Sequence, residues 1–293
     1  MQLKLFGMEM KPLLRVSQAF VRTSSVICAV ILLSVAVEIA STAYHSATYQ
    51  RSSFMGREEV ESYENRVENV TRMDDWGRTR YYWTNNLGVA GYRIIFTPWY
   101  AGVSAEVFQA YIVGIVNTFW YNEAELSPFR AAIEVHGLLE MTGFFIITAI
   151  TARLAWNLWK GLGFMITYRR KVKRLIKRYR SRIKEILGDF LIVASVGAFL
   201  IFLAAPLEAY ISPSIWATFR SAPILSYIYL MAVALLYLAI FFVQFRGWVM
   251  IKKDAKKIRT DVESLLQGKF VPAHLSLLMF ILFTIPAIIV ILV

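Results

Sequence analysis

The chain has 293 residues, 57% apolar and only 18% charged, with a formal net charge of +12. A soluble domain carries about 25% charge; here the apolar residues gather into runs of about twenty, the length a helix needs to cross about 30 Å of hydrocarbon. Runs such as 190–205 do not alternate, which excludes a β-barrel, and the single cysteine, Cys28, excludes an intrachain disulfide.

The expected fold is therefore all-α: a polytopic transmembrane helical bundle, one membrane domain over 1–293, with about seven membrane segments including a short or re-entrant hairpin. Segment one is 26–44. The triplet Ser41-Thr42-Ala43 would suit a signal-peptide cleavage site, but the apolar run is long for one and is interrupted by Glu38. An outer loop, 45–83, follows. Within it 57–73 reads as an amphipathic helix, with Val60, Tyr63, Val67 and Val70 on one stripe. It is expected to cap the bundle, with partner docking as the alternative.

The region 85–120 is too long for one crossing and is expected to break around 98–106, making two short helices. Segment four is 135–159, and a basic cytoplasmic helix occupies 160–189. Segment five is 190–211, segment six 224–246, a second basic segment 247–271, and segment seven 272–293.

Lysine and arginine counts set the orientation. Residues 1–25 hold four basic residues, 160–189 eleven and 246–271 seven, together 22 of the 32. Seven crossings put all three stretches on one side, giving a multi-pass cell-membrane protein with a cytoplasmic N-terminus and an outside C-terminus. Around 168–187, Val172, Leu175, Ile176, Tyr179, Ile183, Ile186 and Leu187 recur at helical spacing among arginines and lysines. Arg169, Arg170, Lys173, Arg174, Lys177 and Arg178 are the candidate residues for binding anionic headgroups or a partner, each contributing about 1 kcal/mol near a charged surface. Headgroups explain the charges. They leave the apolar stripe to be covered by lipid, by the other basic helix or by a second protein.

Ionisable side chains at membrane depth cost about 2.5 to 3.5 kcal/mol or more, so each needs a reason. Glu38, Arg93, His136, Glu140 and Glu208 fall in the outer half of the bilayer in this topology, and they are expected to converge. His136 and Glu140 share a helical face, as two metal ligands or a proton relay would. Glu208 follows Pro206, where a helix break is expected. Arg93 is expected to seek a carboxylate. Asn85 and Asn86 are expected to cap segment two or, Asn86 in particular, to face the same cavity.

Val135-His136-Gly137-Leu138-Leu139-Glu140 and Ala204-Ala205-Pro206-Leu207-Glu208-Ala209-Tyr210-Ile211-Ser212-Pro213 resemble two elements of the stage II sporulation protein M family. One is Pro-His-Gly-x-x-Glu at the start of a membrane helix. The other is Ala-Ala-x-x-Glu-Ala/Gly-x-x-Thr/Ser-Pro at the end of a later one. The Asn85-Asn86 pair before an apolar hairpin also matches. The resemblance covers about 25–215; Val135 departs from the family proline, the basic stretch between the motifs is longer than the family's, and segments six and seven lie beyond. It implies a membrane anchor for cell-wall-degrading enzymes in spore formers and assigns no chemistry to His136, Glu140 or Glu208.

The function read from the residues and the resemblance together is a non-enzymatic scaffold that recruits partners. A transporter or permease-like subunit with an outer-half polar site is the alternative, and an intramembrane metal-dependent hydrolase, with Glu208 as third ligand, the second alternative. No catalytic residue, resident metal or cofactor is expected. The partners expected are anionic headgroups on the cytoplasmic side, an unidentified protein and, as an alternative, a second copy of the chain; nucleic acid is not among them.

Overall fold

A computed structural model describes residues 4–5, 8–9, 11–49, 61, 65, 68–70, 72–122, 126–167, 169, 172–239 and 242. Apart from an antiparallel pairing of Lys4–Leu5 with Met8–Glu9, everything described is helical. The elements are α1 (Lys11–Ala47), α2 (Asp75–Ile95), a 3-10 turn (Thr97–Trp99), α3 (Ala101–Asn122), α4 (Leu126–Thr167) and α5 (Val172–Pro206). A π-helical segment (Leu207–Ile211), α6 (Ser212–Ser221) and α7 (Pro223–Ala239) follow.

Among the described residues, three stretches are long and apolar enough to cross a membrane: Gln18–Ala47, Arg130–Thr167 and Arg180–Ser221. They contain the expected segments one, four and five. Neither helix of the 85–120 hairpin is among them, and α7 is a shorter apolar helix. Segment seven, the basic segment 247–271 and most of the outer helix 57–73 lie outside the described residues.

The core forms where α1, α4 and α5 meet, with Ile27 and Val30 against Ile146 and Ile150 and against Val193. Lipid supplies no hydrophobic drive between helices, so close approach of small residues does this work instead. At the α4–α5 crossing, a Cβ on Gly143 would lie 2.7 Å from the Gly197 carbonyl oxygen, and one on Gly197 would lie 2.9 Å from that of Gly143. The α1–α3 crossing repeats this at Gly114, where a Cβ would stand 2.5 Å from Cβ of Ser41.

The hairpin differs in detail from the sequence expectation. Asp74, not Asn85 or Asn86, caps α2, its side chain accepting from the Gly77 amide at 2.8 Å; the asparagines sit inside the helix. The turn is shorter and earlier than 98–106, made by Thr97–Trp99 and a left-handed Tyr100 at φ 53°. Trp159 of α4 fixes the tip by donating its indole N–H to the Pro98 carbonyl at 2.7 Å. Trp83 holds the other end of α2, donating to the Phe202 carbonyl at 2.8 Å while its ring stacks on Phe202.

The basic stretch is not a separate helix. Its first residues, to Thr167, end α4, and from Val172 it forms the first half of α5, continuous with the apolar half. At 1.5 Å per residue, 35 residues run about 52 Å, well beyond the hydrocarbon thickness.

Candidate functional site: a buried imidazole–carboxylate pocket

Helix α4 carries His136, Glu140, Phe144 and Thr148 at intervals of four, a single ridge in an α-helix. The two ends of that ridge meet different surroundings. Toward Thr148, the ridge meets Arg93 of α2 and Glu106 of α3, both fully buried and paired at 2.6 Å. Arg93 also donates to Thr148 Oγ1 at 2.8 Å and Gln109 Oε1 at 2.7 Å, and its guanidinium lies 4.4 Å from the centre of the Phe144 ring. Ser34 of α1 donates to the other Glu106 oxygen at 3.0 Å. Charge is balanced there, as a buried pair requires, and among the polar atoms of Arg93 and Glu106 only Arg93 Nε is buried without a hydrogen-bond partner.

Toward His136 the balance fails. His136, Glu140 and Glu208 each offer a ligating atom, and these three atoms lie within 4.8 Å of one another. His136 Nδ1 is 2.8 Å from Ser212 Oγ, and the Ser212 hydroxyl donates to the Leu207 carbonyl at 3.3 Å. With its proton so committed, the hydroxyl accepts from Nδ1–H. Nε2 then presents a lone pair, 3.7 Å from Glu208 Oε1. Glu208 Oε2 is buried with no hydrogen-bond partner.

Each of the three side chains has a polar neighbour. Asn86, whose Oδ1 accepts from Asn85 at 2.9 Å, lies beside Glu140. Tyr82 lies beside Glu208, and Ser212 holds His136. The local fold explains the aim of Glu208: Pro206 cannot donate to the helix, and the following five residues take the wider π turn, a feature concentrated at functional sites.

The expected convergence of five ionisable groups holds for His136, Glu140 and Glu208, with Asn86 beside them. Arg93 is near enough for its charge to act on Glu140, but its partner is Glu106, a residue assigned from sequence to the hairpin break. Glu38 does not join. It pairs with Arg130 at 3.0 Å and accepts from Asn117 at 2.8 Å on another face of α4, because Arg130 and Asn117 reach it first.

Sequence reasoning also missed a clamp at the other end of the bundle. Asp189 of α5, 3% exposed, receives both Arg22 of α1, at 2.8 and 2.5 Å, and Arg153 of α4, at 3.0 Å. Arg153 lies inside the apolar run 135–159 and was the available signal.

Beyond that clamp, the first turns of α5 expose Lys173, Lys177, Arg180, Arg182 and Lys184, and between them Ile176, Ile183 and Leu187 are 49%, 43% and 46% exposed. Of the surface candidates, Arg169 is exposed. Arg170 and the side chains of Arg174 and Arg178 lie outside the described residues.

No curated protein and no solved structure matches the chain. The family model described as "Stage II sporulation protein M" matches residues 20–213, more than half of the sequence and a stretch that holds every residue of the pocket. The chain thus belongs to the stage II sporulation protein M family.

Proposed function

We propose that this chain is a non-enzymatic membrane scaffold in which a docking arm and a buried pocket share one rod. The observation that carries the reading is the continuity of α5. Its first half bears an exposed basic and apolar face, and its far end leads within two residues to Glu208. Basic side chains suit anionic headgroups, whereas an uncovered apolar stripe suits a protein groove. The lysine and arginine bias supports the orientation that places this arm and the N-terminus in the cytoplasm, the pocket in the outer half of the bilayer and the C-terminus outside.

A photoreactive amino acid at Ile176 or Ile183, irradiated in cells, tests the scaffold. A discrete protein adduct that disappears with Ile183→Asp supports it. Adducts to lipid alone would overturn it.

A permease-like subunit is the second reading, favoured by the acceptor-rich pocket beside a hairpin whose helices are not among the long apolar spans. It predicts ion flux in vesicles that Glu140→Gln abolishes, whereas a scaffold passes none.

A further inference from the structure

We propose that His136, Glu140 and Glu208 ligate a divalent transition metal, zinc in first place, in a site with one open coordination position. The proposal rests on reading the pocket as a binding site and is independent of the docking arm. It replaces the expectation from sequence that the chain carries no metal.

Three observations support it. The first is the excess of acceptors. With the Ser212 hydroxyl turned to the Leu207 carbonyl, the imidazole proton sits on Nδ1; one ligating atom each of His136, Glu140 and Glu208 lies within 4.8 Å of the others, and Nε2 is 3.7 Å from Glu208 Oε1. Facing lone pairs repel, and a cation between them removes the repulsion.

The second is charge. Were Glu140 and Glu208 both ionised beside a neutral imidazole, the pocket would carry −2, the charge that a divalent ion neutralises. The only nearby guanidinium, among the described residues, is already matched by Glu106. Glu208 Oε2, buried and without a partner, is an acceptor still waiting for such a charge.

The third is the backing of the ligands. A metal-binding histidine characteristically gives its other nitrogen to a fixed partner, and ligating carboxylates are themselves hydrogen-bonded. Ser212 supplies such a contact to His136, and the polar side chains of Asn86 and Tyr82 lie beside Glu140 and Glu208. Imidazole with two carboxylates is a ligand set that zinc accepts, and three protein ligands leave the fourth tetrahedral position for water or a ligand. Metal–ligand bonds of about 2.0 to 2.2 Å require the three atoms to draw together by about 1 Å from their widest separation. Side-chain rotation on α4 and in the π segment covers that distance.

The test uses the full chain in detergent, stripped with a chelator and titrated with Co2+, then with Zn2+. One equivalent of Co2+ should give the visible absorption of a four-coordinate ion, and one equivalent of Zn2+ should displace it. His136→Ala should lose the band. Ser212→Ala removes no ligand and should weaken affinity by about 10- to 100-fold; it decides the matter if His136→Ala does not accumulate. A wild-type chain without the band overturns the proposal, as does a band that survives His136→Ala or an affinity unchanged in Ser212→Ala. Ion flux that depends on Glu140 but persists without any bound metal would also overturn it, while leaving the pocket itself as a binding site.

Discussion

The two ends of the α4 ridge teach different lessons. Arg93 and Glu106 are as deeply buried as any side chains described, yet every charge there meets its opposite and nearly every hydrogen-bonding atom a partner. One helical turn or two away, His136, Glu140 and Glu208 bring their ligating atoms within 4.8 Å of one another, and no guanidinium or ammonium among the described residues is paired with either glutamate. The first arrangement holds α2, α3 and α4 together and has little left to offer a ligand. The second is held in place by its neighbours and left incomplete. Burial alone therefore does not distinguish structure from site in this bundle; the balance of donors and acceptors does.

That contrast can be broken by substitution. The largest effect is expected from Arg93→Leu, which strands Glu106 in the bundle and should cost about 3–5 kcal/mol. Thermal unfolding in detergent reads the loss, and the Arg93→Leu/Glu106→Leu double variant should recover much of it. A single variant as stable as wild type would mean the pair is not structural. Asp189→Asn comes next. It weakens charge-assisted bonds from both Arg22 and Arg153, for about 1.5–3 kcal/mol by the same measurement. Gly197→Ala forces α5 away from the Gly143 carbonyl and the Ile147 side chain, for about 1–3 kcal/mol. The smallest effect sharpens the comparison. Glu208→Gln replaces a buried carboxyl that has one oxygen without a partner, so stability should stay within about 1 kcal/mol of wild type or rise. A loss as large as that of Arg93→Leu would place Glu208 with the structural pairs.

Much of this was readable in the sequence. Runs of about twenty apolar residues made the spanning helices visible, and the i, i+4 spacing of His136 and Glu140 put them on one face before any coordinates. Glu208 was legible because proline and a charge near the end of an apolar run are both costly. What stayed hidden were partner choices, which depend on how helices are rotated about their axes. Glu106 looked like part of a turn because the turn was placed too late. Glu38 looked like a member of the pocket because depth along the membrane normal says nothing about direction around it. Arg153 and Asp189 lie 36 residues apart and meet only because α4 and α5 cross closely at Gly143 and Gly197.

The π segment at Leu207–Ile211 carries one residue more than an α-helical turn would hold. If that surplus were squeezed out into the flanking chain, every side chain beyond it would swing about the helix axis by the angular step of one residue, about 100°. Ser212, the first residue beyond the segment, would release the imidazole it steadies. Winding of this short stretch and integrity of the pocket are thus one variable, so a ligand that prefers the assembled pocket also sets the rotation of α6 and α7 beyond it.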